Sequence, residues 1–263
     1  MSPTTVKAVS HLMTSSMTLC ALQFDYAFHD FKQNLETLST LVDTCPSNAL
    51  ILAPELCLSG YSYDALPEAA AFSNTHLSTL KKLSTCKTIG LTLITQKNEN
   101  FFNTFMLFHK GQCLYTQNKA KLFALGDEER YFHAGATDAI QRFEIEGIKI
   151  AVLICFELRF PALWEQVKGA DIILIPSFWG ETRKGHLEAL STALAIANQA
   201  YVICANSADE KMAKSSGIVS PFGIAKRDDA QPVITSTYDA KELQTMRRYI
   251  DIGLNTHASH GPF

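Results

Sequence analysis

The stretch I-K-I-A-V-L-I-C-F-E-L-R-F-P, residues 148–161, joins an apolar run to a reactive side chain. A run that is apolar nearly throughout, rather than at every second residue, predicts a strand over 148–155 that is buried on both faces. Such a strand delivers Cys155 to its carboxyl end, where α/β proteins usually build their sites. Pro161 then begins a short helix, since its fixed φ suits a first helical turn. Position alone leaves Cys155 either an inert buried cysteine or a nucleophile with a backbone N–H beside it for an oxyanion.

Short apolar strands alternate with helical patterns on both sides of this stretch. Helices are predicted at 30–43, 68–84 and 184–199, and further strands at 18–24, 49–55, 88–95, 102–108, 112–117, 140–145, 171–176 and 201–206. Only a few residues separate 102–108 from 112–117, and 140–145 from 148–155, so part of the sheet structure must be antiparallel hairpins. We therefore expect an α/β fold, a four-layer α-β-β-α sandwich of two mixed sheets with outer helices.

Composition excludes several classes of protein. The 263-residue chain of 29.1 kDa is 47% hydrophobic and 19% charged, enough apolar content for a sizeable core. A net charge of −3 and a pI near 6.2 argue against nucleic-acid binding, and no apolar run reaches the roughly 18 residues of a membrane span. Seven cysteines are an odd number, which favours the reducing cytoplasm. Four of them are expected to be small buried hydrophobes: Cys20, Cys57, Cys113 and Cys204.

The amino terminus is more polar than the rest. Residues 1–16 lack the apolar block of a signal peptide and are expected to form a disordered tail, with 17–263 as a single domain. Met13 and Met17 are alternative starts.

The sequence contains no G-x-G, no G-x-S-x-G and no zinc spacing of cysteines, and the tail residues His257 and His260 are too few for a metal site.

Two further segments carry functional groups. Glu55 closes the apolar run A-L-I-L-A-P-E, where burial would raise its pKa toward that of a general acid or base, unless a lysine or loop amides satisfy it. Residues 118–135, N-K-A-K-L-F-A-L-G-D-E-E-R-Y-F-H-A-G, place two lysines before three acids. This segment is either a solvated charged loop or a segment in which a lysine, fixed beside carboxylates, serves as a permanent cation for an oxyanion.

Taken together, these segments resemble the carbon–nitrogen hydrolase (nitrilase) superfamily over about residues 17–225. The matching motifs are A-P-E-L-C-L-S-G-Y, N-K-A-K-L-F with G-D-E-E-R-Y-F-H-A-G, and C-F-E-L-R-F-P, followed by F-W-G-E-T-R, A-N-Q-A-Y-V-I-C-A-N and S-S-G-I-V-S-P-F-G. The nucleophile motif is most similar to that of the ω-amidase and Nit-like branch.

The resemblance implies a role for each matching residue. Cys155 would be the nucleophile, Glu55 the general base and acid, and Lys119 the oxyanion cation together with the backbone N–H of Phe156. Glu128 would hold Lys119 in place.

Two assignments leave neighbours open. Lys121 stands where the family has histidine, so it competes with Lys119, and Glu129 competes with Glu128. Tyr61, Trp179 and Arg183 are candidate substrate-binding residues, with Arg183 placed to meet a substrate carboxylate. The alternatives are a surface position for Arg183 at the start of a helix, and positions in the core for Tyr61 and Trp179.

The implied activity is hydrolysis of a small, carboxylate-bearing amide through a thioester, with release of ammonia and without metal or organic cofactor. The alternatives are an N-carbamoyl-amino-acid or aliphatic amidase and, in another class, a catalytically silent binding scaffold. The resemblance also implies a homodimer or higher homo-oligomer. Neither nucleic acid nor membrane is an expected partner.

Overall fold

The computed structural model describes residues 17–254. The predicted tail at 1–16, and the histidines at 257 and 260, lie outside the described residues. The strands, in chain order, are β1 (Thr18–Leu22), β2 (Leu50–Leu52), β3 (Thr88–Lys97), β4 (Asn100–His109), β5 (Gln112–Asn118), β6 (Phe143–Ile145), β7 (Ile148–Val152), β8 (Ile172–Pro176), β9 (Tyr201–Ala205), β10 (Gly217–Val219), β11 (Ala225–Arg227) and β12 (Val233–Thr237). The helices are α1 (Phe31–Thr44), α2 (Leu66–Thr75), α3 (Leu77–Leu83), α4 (Glu128–Tyr131), α5 (Pro161–Gln166), α6 (Lys184–Asn198) and α7 (Ala240–Tyr249).

The strands form two mixed sheets of six strands each, in the orders β12-β1-β2-β3-β4-β5 and β11-β10-β9-β8-β7-β6. Each sheet has a parallel trio at its centre, β1-β2-β3 in one and β7-β8-β9 in the other. The remaining pairs are antiparallel, including the predicted hairpins β4–β5 and β6–β7. Because β12 pairs with β1, the chain returns from the second sheet to the first after β11.

The core lies between the sheets. Leu19 and Leu52 of the first sheet share one buried cluster with Val152, Leu174 and Ile203 of the second. The outer face of the first sheet is covered by α1 and α3, and α5 and α6 add buried leucines to the cluster of the second sheet. The predicted four-layer α-β-β-α sandwich is confirmed.

The outer helix α1 shows how local sequence sets an element. Its N-cap residue Asp30 accepts a hydrogen bond from the N–H of Gln33 at 3.2 Å, which satisfies a free donor of the first turn. Leu35, Leu38 and Val42 then recur at helical spacing and bury one face of the helix against the sheet.

Several elements differ from the prediction. The helix predicted over 68–84 is two helices, because the backbone of His76 leaves helical geometry. The ring nitrogen Nδ1 of His76 lies 2.9 Å from the carbonyl oxygen of Phe72, which also accepts a hydrogen bond from the N–H of His76. Helix α7 was not predicted, since only Leu243 and Met246 of its residues are buried. The strands predicted over 49–55 and 148–155 end at Leu52 and Val152, so Glu55 and Cys155 lie in turns beyond them.

These turns lie at one end of the sandwich. The carboxyl ends of the parallel strands β2, β7 and β8 meet there, and the N–H of Glu55 donates to the carbonyl of Ser177 at 3.1 Å, which joins the two sheets. None of the helices within residues 17–254 combines the length and the apolar character that a membrane span requires.

Candidate active site

Cys155 begins a short 3₁₀ turn, Cys155–Arg159, directly beyond β7. Its φ of +48° is in the left-handed region, which non-glycine residues rarely adopt and which recurs at functional sites. The side chain is 7% exposed, and the backbone N–H of Phe178 donates to its sulfur at 3.5 Å. The thiol is therefore held at the wall of the site with a donor directed at it.

Glu55 is fully buried in the turn after β2. Its Oε1 accepts hydrogen bonds from Nζ of Lys119 at 2.7 Å and from Nδ2 of Asn103 at 2.9 Å. Its carbonyl oxygen accepts from the hydroxyl of Tyr26 at 2.7 Å. Within residues 17–254, Oε2 has no hydrogen-bond partner, so one oxygen of this carboxylate is free to take a proton.

Lys119 follows β5 and is also fully buried. Its Nζ donates to Oε1 of Glu55 at 2.7 Å and to Oε1 of Glu128 at 2.6 Å. Burial would lower the pKa of Lys119, but the two carboxylates outweigh burial and raise it above the usual range. Lys119 is therefore a permanent cation in this site. Its neighbour Lys121 lies elsewhere, with its ammonium 5.4 Å from the centroid of the Phe160 ring.

Glu128 begins α4 and is 2% exposed. Its Oε1 also accepts from the hydroxyl of Tyr61 at 3.0 Å, and its Oε2 accepts from the N–H of Phe123 at 3.1 Å. Burial, helped by the negative charge of Glu55, raises the pKa of Glu128 in spite of Lys119. The adjacent Glu129 is exposed. The structure thus brings Glu128, and not Glu129, to the lysine.

Electrostatics favour a protonated thiol in the resting site. Burial raises the pKa of Cys155 well above its usual range, and the negative charge of Glu55 adds to this. Lys119 and the N–H of Phe178 act in the opposite direction but do not reverse it. Since the thiolate is the reactive form, attack requires a base that removes the proton as the new bond forms.

A cavity of about 580 Å³ opens in front of Cys155. Most of its lining is aromatic or apolar, and the residues are Phe28, Tyr61, Tyr63, Phe123, Leu125, Gly126, Glu128, Cys155, Phe178, Gly180, Arg183, Lys211 and Met212. The charged lining residues in the described chain are the cations Arg183 and Lys211 and the carboxylate Glu128, which is already bonded to Lys119. A small ligand with an anionic end fits such a lining.

The predicted binding residues divide between cavity and core. Tyr61 and Arg183 line the cavity, and the guanidinium carbon of Arg183 lies 5.3 Å from the centroid of the Phe123 ring. Trp179 is 3% exposed, packs under the guanidinium of Arg159 at 4.5 Å, and is not among the cavity-lining residues of the described chain. Phe156 follows the nucleophile directly, and its ring lies 5.0 Å from that of Phe123.

Sequence reasoning missed several groups that shape the site. Lys211 lies far along the chain in a polar loop without a motif. Asn206 holds the peptide of Trp179 with two hydrogen bonds, accepting from its N–H at 2.7 Å and donating to its carbonyl at 3.1 Å, which orients the adjacent N–H of Phe178. Lys211 has no local sequence signal, whereas Asn206 ends the motif A-N-Q-A-Y-V-I-C-A-N, which pointed to no contact of its side chain. Within residues 17–254, no group of three or more His, Cys, Asp or Glu side chains could hold a metal ion.

A family model and several known proteins resemble this chain over most of its length. The model of the carbon–nitrogen hydrolase family matches residues 18–251. A 2-oxoglutaramate amidase of Bacillus subtilis is 31% identical over 89% of this chain and 95% of its own length, and the omega-amidase YafV of Escherichia coli K12 is 28% identical over 72% and 74%.

Solved structures share the fold. Nit3 of Saccharomyces cerevisiae, a member of branch 10 of the nitrilase superfamily, superposes with a TM-score of 0.79 at 22% identity, covering 90% of this chain and 95% of that one. A mutant amidase from Nesterenkonia superposes with a TM-score of 0.76 at 19% identity, covering 89% and 95%.

Proposed function

The chain belongs to the carbon–nitrogen hydrolase family and is an amidase; we propose that its substrates are small linear amides with a carboxylate at the far end, from which it releases ammonia. One observation carries the proposal. The buried cluster of Glu55, Lys119 and Glu128 lies close enough for Glu55 and Lys119 to act on the charge of Cys155, and Cys155 lines a mostly apolar cavity that also presents Arg183 and Lys211.

The first half-reaction is acyl transfer to sulfur. Oε2 of Glu55 takes the proton of Cys155 while the sulfur attacks the amide carbon, and the carbonyl oxygen gains a negative charge. The ammonium of Lys119 and the N–H of Phe156 stabilise this oxyanion. Glu55 then gives the proton to the leaving nitrogen, the C–N bond breaks, and ammonia departs from a thioester on Cys155.

The second half-reaction is hydrolysis of the thioester. Glu55 takes a proton from water, the resulting hydroxide attacks the thioester carbon, and the same oxyanion donors act again. Glu55 returns the proton to sulfur as the C–S bond breaks. The products are a carboxylic acid and the original thiol. Glu128 contacts Lys119 throughout and acts by holding it in place.

Two cations at the cavity select for a carboxylate. The planar guanidinium of Arg183 suits a bidentate pair with a substrate carboxylate. Lys211 lies beside the turn that carries Arg183, because the carbonyl of Lys211 accepts a hydrogen bond from the N–H of Glu181 at 2.9 Å. The relative named as a 2-oxoglutaramate amidase supports a substrate of this type.

Ammonia release from a panel of amides tests the proposal. The panel contains 2-oxoglutaramate, glutaramate, N-carbamoyl-β-alanine and the neutral amide valeramide, each with the wild type and with Cys155→Ala. We expect turnover of the first two, little turnover of valeramide, and none by the variant. Carbon dioxide released with ammonia would instead indicate a carbamoylase. No turnover, together with iodoacetamide labelling of Cys155 no faster than of the other cysteines, would favour the binding scaffold.

We also propose that two copies of the chain associate through the outer face of α6. Ala193 and Ile196 of this helix border a groove, and the side chains of Phe222 and Ile224 beside it are 43% and 71% exposed. Apolar patches of this kind mark interaction sites. Light scattering on the wild type and on Ile224→Asp tests this: we expect a dimer that the charge weakens, and a monomeric wild type would contradict it.

The cytoplasm is the compartment that we propose for the protein. All seven cysteines are free thiols, among them the nucleophile, and a reducing compartment preserves them. Fractionation of the source cells tests this, and recovery of the protein outside the cytoplasmic fraction would contradict it.

A further inference from the structure

Glu157 is a fully buried carboxylate that the reaction described above does not use. It lies two residues after the nucleophile, in the same 3₁₀ turn. Its Oε2 accepts a hydrogen bond from the N–H of Ile154 at 2.7 Å. Its Oε1 accepts from the N–H of Ala120 at 2.6 Å and from that of Lys121 at 3.4 Å. Both oxygens therefore bind backbone rather than side chains.

The N–H groups that donate to Glu157 lie next to two residues of the active site. Ile154 directly precedes Cys155, and Ala120 directly follows Lys119. One carboxylate thus joins the segment that carries the nucleophile to the segment that carries the oxyanion cation, although these segments come from different sheets. Hydrogen bonds to an ionised acceptor are about twice as strong as neutral ones, so this link is stiff.

We propose that Glu157 is a positioning residue, whose carboxylate braces the Cys155 turn against the Lys119 segment and so sets the separation of thiol and ammonium. The inference rests on the proposed roles of Cys155 and Lys119. It assigns Glu157 no contact with substrate.

Only the ionised carboxylate accepts strongly on both oxygens, because a protonated oxygen is a donor and a much weaker acceptor. The charged or titratable groups that act on it are Lys119 in the braced segment and the phenol of Tyr115 on β5. Burial raises the pKa of Glu157 to about 7, although its backbone donors and Lys119 act in the opposite direction. As the pH falls through this value, one oxygen gains a proton and turns from acceptor to donor, so the brace weakens.

Two substitutions separate bracing from charge. Glu157→Gln keeps the length of the side chain but offers a single acceptor oxygen. Glu157→Asp keeps the charge but is one methylene shorter, so it reaches one segment and not both. Glu165→Gln, at an exposed position on α5, is the matched control. Thermal unfolding of each variant establishes that it is folded.

The measurements are kcat and KM on the best amide of the panel between about pH 6 and 9, and the rate at which iodoacetamide labels Cys155. We expect both Glu157 variants to lose about 100-fold in kcat with little change in KM, the loss that a misplacement of about 1 Å causes. We expect the fall of kcat on the acid side to be shallower in Glu157→Gln than in the wild type. Labelling of Cys155 should slow by about tenfold in both variants, because the base and the cation no longer face the thiol correctly.

Labelling needs no substrate, so it tests the brace even if no amide in the panel is turned over. Labelling of both variants at the wild-type rate would overturn the proposal. Full activity of Glu157→Asp would also overturn it, since charge alone would then suffice. A reduced kcat with an unchanged pH profile and unchanged labelling would assign Glu157 to folding, and would overturn it as well.

Discussion

Lys119 donates to one oxygen of Glu55 at 2.7 Å, while the other oxygen of that carboxylate has no hydrogen-bond partner within the described residues. The two oxygens therefore have different tasks. Oε1 is anchored by the lysine and by Asn103, which orients the carboxyl plane. Oε2 is left to move a proton between sulfur, nitrogen and water. A carboxylate that accepted hydrogen bonds on both oxygens would be a poorer base, because neither oxygen would be open to a proton.

Replacing this base should stop catalysis without disturbing the fold. Glu55→Gln keeps the shape of the side chain but cannot accept the thiol proton, so we expect kcat to fall by roughly 10²- to 10⁴-fold. Steady-state ammonia release measures the loss. Glu129→Gln, at an exposed position nearby, should retain the wild-type rate. Activity of Glu55→Gln above about a tenth of wild type would exclude Glu55 as the general base.

Removal of the lysine should destabilise the protein. Lys119→Met leaves Glu55 and Glu128 buried without their cation, which costs about 3–5 kcal/mol in the free energy of unfolding. Urea denaturation near neutral pH measures this. The matched variant Lys121→Met, at a partly exposed position, should change stability by less than about 1 kcal/mol. Equal losses in the two variants would contradict the central place of Lys119.

The thiol should show its high pKa once the base is removed. In Glu55→Gln, the charge of Glu55 no longer raises the pKa of Cys155, but burial, the larger cause, still does, so the thiolate fraction rises about tenfold per pH unit as long as the pH is below the pKa. We expect the rate of iodoacetamide labelling of Cys155 to keep rising up to about pH 9, without a plateau. A plateau near neutral pH would show that burial alone does not keep the thiol protonated, and would contradict this prediction.

Substrate selection should depend on Arg183. For a carboxylate-bearing amide, Arg183→Ala loses a charge-assisted pair worth about 1.5–3 kcal/mol, so we expect KM to rise roughly 10- to 150-fold. Arg183→Lys keeps the charge but not the bidentate geometry, so its KM should lie between that of the wild type and that of Arg183→Ala. Kinetics on glutaramate and valeramide measure the contrast. An equal rise in KM for the neutral amide would place Arg183 in the structure of the cavity rather than in recognition of the carboxylate.

Lys211 should contribute less than Arg183, because it is exposed and loses more entropy on binding. For Lys211→Ala we expect KM for glutaramate to rise by about two- to fivefold, with valeramide unchanged. A larger effect than that of Arg183→Ala would reverse the proposed order of the two cations.

Local patterns predicted much of this protein. Unbroken apolar runs, the short spacing of β4 and β5, and the helical repeat of α1 depend on neighbours in sequence, so the layered sandwich could be inferred before the structure was known. The polar helix α7 could not be inferred, because only two of its residues are buried. The break at His76 could not be inferred either, because no glycine or proline marks it in the sequence.

The sequence by itself determined which side chains stand at the ends of buried strands, and so made Cys155 and Glu55 candidates for chemistry. Only the tertiary structure decided between Lys119 and Lys121 and between Glu128 and Glu129, because residues a step or two apart in a turn can point to entirely different surroundings. The same holds for the brace at Glu157. Its donors come from a segment 37 residues away and from its own turn, and no local pattern records a contact that exists only when two sheets are packed together.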